Sequence, residues 1–158
     1  CECYFSHGTS NSRGVMIFFS NKLEVTVKEK ITDTNGRIII LKCEIQGEKF
    51  LIYNIYAPND KNDHKTFLLD LKEKLDAINI MDYEYIIGAR DWNFTSEKID
   101  RSGGNYTIWQ KNTATFDEIN DKFDLIDIWR LRNPEKVRFT WRRKKTSDPI
   151  KIGSFLYF

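Results

Sequence analysis

The sequence predicts a single layered α/β or α+β domain over residues 1–158. Three observations predict it. The first third is a series of short apolar and β-branched runs separated by turn residues. The apolar period then lengthens to that of a helix around Phe67 and returns to that of a short strand at Tyr83. A chain of this length can also bury roughly two thirds of its unfolded surface, enough for one core.

The elements follow in chain order. Ser6-His7-Gly8-Thr9-Ser10-Asn11-Ser12-Arg13 reads as a polar loop, and Gly14 to Phe19 as a buried strand headed by glycine. Leu23, Val25 and Val27 alternate with Glu24, Thr26 and Lys28, the pattern of a half-buried strand over 23–29. Asp33-Thr34-Asn35-Gly36 is turn chemistry, because Asn-Gly tolerates positive φ. Arg37 to Ile45 is β-branched and apolar. Gln46-Gly47-Glu48 turns the chain again, and Lys49 to Tyr56 is a further strand stopped by Ala57-Pro58. Together these make an antiparallel meander.

Phe67, Leu68, Leu71, Leu75 and Ile78 then share one helical face, with Lys72, Glu73, Lys74 and Asp76 opposite and Asn62 or Asp63 as the cap. Tyr83 to Gly88 is a short strand, followed by an irregular polar segment over 89–110. Phe116, Ile119 and Phe123 place a second helix near 112–123, with Asp117 and Glu118 early enough to suit its dipole. Arg138 to Trp141 and Ile150 to Phe158 read as the last two strands.

Composition narrows the function classes. With 41% hydrophobic and 30% charged residues the chain is not wholly disordered. No apolar run approaches the ~20 residues that span a bilayer, so no membrane partner is expected. Residues 1–15 hold no apolar signal core, so the expected location is nuclear or cytoplasmic, not secreted. The sequons at Asn93 and Asn105 then carry no glycans. Cys1, Cys3 and Cys43 lack metal-ligand spacing and read as reduced thiols. Cys1 in place of Met and Phe158 inside an apolar run read as cuts at both ends.

The net charge of +2 conceals an asymmetry. Residues 129–151 hold nine basic side chains against Glu135 and Asp148, a local +7, which leaves −5 for the rest. Interleaved with Trp129, Phe139 and Trp141, this stretch could grip a polyanion or form a solvated loop.

Four short segments could carry chemistry. Asp91-Trp92-Asn93 follows a strand. In extended backbone Asp91 and Asn93 share a face, where a carboxylate and an amide can orient a water and a phosphate oxygen. The same tripeptide also suits an Asx turn. Tyr56 stands at the end of a strand that Pro58 terminates, with its hydroxyl toward a ligand or toward water. In Phe139-Thr140-Trp141 the threonine faces opposite to the aromatics, either of which could meet nucleic acid. His7 has no neighbouring ligand and reads as a loop residue. Gly103-Gly104 is a flexible point and not a phosphate loop, since no GxxxxGK[ST] occurs.

Taken in order, Tyr4 to Val15, Asn54-Ile55-Tyr56-Ala57-Pro58-Asn59, Ile86-Ile87-Gly88 leading to Asp91-Trp92-Asn93, Asp100-Arg101 with Gly103-Gly104, Asp127-Ile128-Trp129-Arg130 with Asn133-Pro134, and Phe139-Thr140-Trp141 resemble the endonuclease/exonuclease/phosphatase family. They resemble in particular the apurinic-endonuclease-like domain of LINE-type (non-LTR) retrotransposon polyproteins. The resemblance covers nearly the whole chain. It implies a four-layer α/β sandwich, two packed, mainly antiparallel sheets flanked by helices, here truncated at both ends.

It also implies Mg²⁺-dependent hydrolysis of a DNA phosphodiester, nicking target DNA for a reverse transcriptase domain on the same polyprotein. Asp91 matches the family aspartate that activates water, Asn93 the asparagine that orients the phosphate or the aspartate, and Tyr56 the tyrosine that meets the scissile phosphate. Thr140 matches a DNA or phosphate contact, and Trp141, Arg142 and Arg13 join it as substrate-binding candidates.

The departures from the family pattern bear on catalysis. The family's metal-ligating glutamate has no counterpart here, and its late histidine motif would fall beyond Phe158. Its late aspartate aligns with Gly153, so no metal ligand is assigned. Gly88-Ala89-Arg90-Asp91 holds one residue more than the family motif, which could displace Asp91 and sets a cation beside it. Removing a general acid or base typically lowers rate by about 10²–10⁴. The expectation is an impaired endonuclease domain. The alternatives are a non-catalytic nucleic-acid-binding remnant, an unfolded remnant, and a family phosphoesterase acting on non-nucleic substrates.

Overall fold

The computed structural model describes residues 1–9, 12–93, 113–123, 125–137, 141–142, 149–150 and 153–156. Its elements are β1 (Glu2–Thr9), β2 (Ser12–Phe19), β3 (Val25–Thr32), β4 (Ile38–Ile45), β5 (Glu48–Tyr56), α1 (Lys61–Asp76), a 3-10 turn (Ile80–Asp82), β6 (Tyr85–Asp91), α2 (Thr113–Lys122), α3 (Ile128–Arg132), β7 (Trp141–Arg142), β8 (Pro149–Ile150) and β9 (Gly153–Leu156). The order β3-β4-β5-β6-β9 forms a five-stranded sheet. β1-β2 is a separate hairpin, and β7-β8 a short pair. β3, β4 and β5 pair antiparallel as the expected meander requires, but the strand at 14–19 leaves it and pairs with β1 instead; β6 joins β5 in parallel and β9 joins β6 antiparallel.

Period-two alternation in β4 and β5 builds two cores from one sheet. Ile38 and Ile40 of β4 with Leu51, Tyr53 and Ile55 of β5 face α1 and α2, meeting Phe67, Leu68, Leu71, Leu75, Phe116 and Ile119. Ile39, Leu41 and Cys43, with Ile52 and Tyr56 partly buried, face the hairpin and meet Val15 and Phe19. Hairpin, sheet and helices therefore stack as layers, two packed sheets with helices on the outer face of the larger one. Burial pushes the Cys43 thiol up to about 11, the state of an inert core cysteine.

Several boundaries move relative to the sequence expectations. Of the polar stretch 6–13, the described residues belong to strands β1 and β2 and not to a loop. β1 runs through Thr9, and its residues alternate in burial, with Ser6 buried at 2%. β2 is half-buried: Val15 and Phe19 face the core, while Met16 and Phe18 are exposed. α1 is capped by Asp60, whose side chain accepts from the Asn62 amide at 2.9 Å, not by Asn62 or Asp63. β6 continues three residues past Gly88, to Asp91. α2 matches its predicted span, although no acidic residue lies in its first turn. α3 has no counterpart among the expected elements.

Two glycines are required by close approach. Gly36 has φ +67°, and a Cβ there would lie 2.3 Å from the Gly8 nitrogen. This fit seats the hairpin on the β3–β4 turn, where the Gly14 amide donates to the Gly36 carbonyl at 3.1 Å. Gly88 lies opposite Tyr53 in register, and a Cβ on it would sit 2.1 Å from Tyr53 Cζ. Glycine at this position lets the buried phenol ring lie flat over β6.

Candidate active site

The carboxyl ends of β5 and β6 lie side by side. Tyr56 is the register partner of Asp91, and Asp91 is in turn the register partner of Gly153 on β9. Parallel partners point the same way, so Tyr56 and Asp91 share the hairpin-side face. The extra residue in Gly88-Ala89-Arg90-Asp91 therefore leaves Asp91 at the strand end and in register.

The expected cation beside Asp91 is absent from that face. Alternation turns Arg90 to the opposite side, where it is buried at 9% exposure. Its guanidinium lies 5.2 Å from the centroid of Trp92 and 5.6 Å from that of Phe116, and donates to Asn120 Oδ1 at 2.8 Å. Arg90 thus ties β6 to α2 and leaves the Asp91 face to other groups.

Asp91 and Asn93 meet by a turn and not by a shared strand face. The strand ends at Asp91, and Asn93 takes φ +55°. The Asn93 amide donates to Asp91 Oδ1 at 2.9 Å, while its side-chain Nδ2 donates to the Ala57 carbonyl at 2.6 Å. Asparagine tolerates this left-handed backbone better than most residues. The Ala57 amide closes the loop by donating to the Asp91 carbonyl at 2.8 Å. Asn93 and Ala57 so clasp the two strand ends together.

Asp91 is half-buried, and burial pushes its carboxyl above the usual carboxylate range, opposed by the Asn93 amide. A carboxylate raised in this way is a better proton acceptor than a fully solvated one.

Two residues that the sequence reading did not single out support Tyr56 and the loop after it. The Tyr56 amide donates to the Arg37 carbonyl at 2.8 Å, and Arg37 Nη1 donates to the Tyr56 carbonyl at 3.1 Å. His64, 2% exposed, donates from Nε2 to the Pro58 carbonyl. The signal for His64 lay in the sequence, because 64, 67, 68 and 71 share one helical face. That for Arg37 was its place directly after the Asp-Thr-Asn-Gly turn.

The Asp127 motif has a local structural part to play. Asp127 Oδ1 caps α3 through the Arg130 amide at 2.9 Å, and Arg130 Nη1 donates to the carbonyls of Asn133, Pro134 and Lys136. Thr140, Asp100-Arg101 and Gly103-Gly104 lie outside the described residues. Arg13, Trp141 and Arg142 are described as strand positions only.

Magnesium is held by oxygen ligands, commonly one or two carboxylates with waters and phosphate oxygens. Asp91 can supply one carboxylate, and its neighbour across the pair, Gly153, supplies none. Among the described residues no three His, Cys, Asp or Glu side chains converge in a way that could hold a metal ion. The described donors do not by themselves amount to a Mg²⁺ site.

The two-sheet sandwich with helices is an architecture shared with solved structures. The chain has the endonuclease/exonuclease/phosphatase fold. Solved structures sharing it include the AP endonuclease LMAP of Leishmania major, with a TM-score of 0.71 at 14% identity, covering 98% of this chain and 61% of that one. The 3′ phosphatase NExo of Neisseria, solved with a product DNA hairpin, gives 0.69 at 16% identity over 99% and 66%. The endonuclease domain of TRAS1, a telomere-specific non-LTR retrotransposon, gives 0.59 at 11% identity over 98% and 66%.

In sequence the chain is 30% identical over 160 residues to the Transposon TX1 uncharacterized 149 kDa protein of Xenopus laevis, covering 97% of this chain. The chain spans only 12% of that relative's length. No protein-family model matches. Fold and sequence relative agree with the motif resemblance: the chain has the endonuclease/exonuclease/phosphatase fold and is similar in sequence to part of a transposon protein. No described helix is long and apolar enough to cross a membrane.

Proposed function

We propose that the chain is the DNA-phosphodiester-cleaving type of domain of a retrotransposon polyprotein, with its hydrolytic step weakened. The observation that carries this reading is the register Tyr56–Asp91–Gly153 at one sheet end. Tyr56 and Asp91 present a phenol and a half-buried carboxylate on one face, with Asn93 locked against both strand ends. A phosphodiester seated there meets a hydroxyl donor from Tyr56, while Asp91 accepts a proton from the attacking water. Mg²⁺, which the resemblance implies, would supply charge neutralisation on the phosphate and leaving oxygen. Gly153 stands where that resemblance expects a second carboxylate, which supports a slow hydrolysis. Thr140, Trp141, Arg142 and Arg13 would flank the DNA, and a reverse transcriptase domain would follow on the same polyprotein, in the nucleus or cytoplasm.

The same glycine favours a second reading, binding without cleavage through the basic segment 129–151. Affinity for duplex DNA falling steeply with salt, and no nicking, would select it.

Nicking of supercoiled plasmid in Mg²⁺ tests the first reading. Slow nicking is expected, with Asp91→Ala lowering it by about 10² or more. Nicking that survives Asp91→Ala unchanged would remove Asp91 from the chemistry.

A further inference from the structure

The strongest unassigned cluster outside the motif residues is the packing of Arg37 on Tyr56. Arg37 is 9% exposed, unusual for an arginine on a strand margin. Its Cζ lies 5.5 Å from the centroid of the Tyr56 ring, and its Nη1 holds the Tyr56 carbonyl. One side chain therefore fixes both the backbone and the ring of the same tyrosine.

Arg37 is itself held in place. Asp33 Oδ1 accepts from the Arg37 amide at 2.7 Å and from the Ile38 amide at 2.9 Å, and Ser6 Oγ reaches the same oxygen at 3.2 Å. The Arg37 carbonyl accepts from the Tyr56 amide. This arrangement exceeds what sheet pairing alone needs. A planar guanidinium can stack on a ring and donate in its own plane together, which an ammonium cannot match.

We infer that Arg37 is a positioning residue, which holds the Tyr56 ring so that its hydroxyl meets the substrate phosphodiester. The inference rests on the proposed role of Tyr56. A group displaced by about 1 Å can lose as much as 10² in rate, so a loosened ring should be felt in turnover more than in binding.

The test is a two-residue cycle on plasmid nicking in Mg²⁺, with Arg37→Lys, Tyr56→Phe and the double variant, alongside NMR of protein labelled at the tyrosine ring carbons. Arg37→Lys should lower kcat about tenfold with KM within about twofold, and should shift and broaden the Tyr56 ring signal. On the Tyr56→Phe background the same change should reduce kcat by less than about twofold, because the hydroxyl it positions is gone. A purely structural arginine would give losses that multiply and would leave the ring signal in place, and either result overturns the inference. If the wild-type protein does not nick, the functional reading fails separately. The ring signal then decides the positioning role, and an unmoved signal in Arg37→Lys overturns it.

Discussion

The ends of β5 and β6 lie in register, yet they are built differently. Around Tyr56 the chain is pinned from several directions. Arg37 grips the residue itself, His64 holds the Pro58 carbonyl, and Asn93 holds the Ala57 carbonyl. Around Asp91 the side chain has the Asn93 amide on one oxygen, a glycine across the strand pair, and burial working against its charge. Among the described residues, the positioning side of the site is thickly supported, whereas the charged side is thin. Substrate geometry can persist in such an arrangement while hydrolysis is slow.

The sharpest way to test that contrast is to thicken the thin side. Gly153→Asp places a second carboxylate beside Asp91 on the adjacent strand. In Mg²⁺ the pair should bind the ion and raise the nicking rate by about 10². Without Mg²⁺ two adjacent carboxylates repel, so the melting temperature should become metal-dependent where that of the wild type is not. An unchanged rate and a metal-independent melt would mean that the missing carboxylate is not what limits this site.

A smaller effect is expected from cutting the support on the Tyr56 side. Asp33 accepts from Ser6 Oγ and from the amides of Asn35, Arg37 and Ile38. Asp33→Ala removes the acceptor from donors that are partly buried, and should lower unfolding free energy by about 2–3 kcal/mol. The reading is a lower urea midpoint at constant m-value. Asp33→Asn keeps an amide oxygen in place and should recover most of the loss. A midpoint unmoved in Asp33→Ala would show that the β3–β4 turn is held by its glycine and by the hairpin alone.

The two sides also differ in how much of them was legible in the sequence. The β3-β4-β5 meander, α1 and β6 follow from alternation and from the change of period, since the buried residues there are strongly apolar. Tyr56, Asp91 and Asn93 stood out because strand ends followed by Pro or Asn are readable. The support around them was not, for stated physical reasons. β1 carries Ser6 as its buried residue beside the Tyr4 and Phe5 that would mark a strand, so local polarity masked it. Which face Arg90 takes depends on how far β6 extends, and the strand runs three residues further than its apolar stretch. The parallel pairing of β5 with β6, which sets Tyr56 against Asp91, arises from a crossover through α1 that no local pattern encodes. Arg37 meets Tyr56 through the antiparallel β4–β5 register, one step beyond the Ile38–Ile55 pair.

The smallest predicted effect concerns the ionisation of Asp91. Burial raises its folded-state pKa above the ordinary 3.8, so the neutral form suits the folded chain better than the charged form. The stability this group contributes is present below about pH 3.8 and is lost as pH rises through the higher folded-state value. At pH 7 the ionised carboxylate therefore weighs against the fold, and Asp91→Asn should melt higher than the wild type by about 1–3 °C. The difference should shrink toward zero as the pH falls through the carboxylate range, because wild-type Asp91 then becomes neutral as well. The same substitution should abolish whatever nicking the wild type shows, since an amide takes no proton from water. A group that destabilises its own fold while serving the reaction is expected of a site residue, and stability and activity should then move in opposite directions. If Asp91→Asn melts lower than the wild type at pH 7, the carboxylate is a structural anchor of the β6 end, and the contrast between the two corners fails.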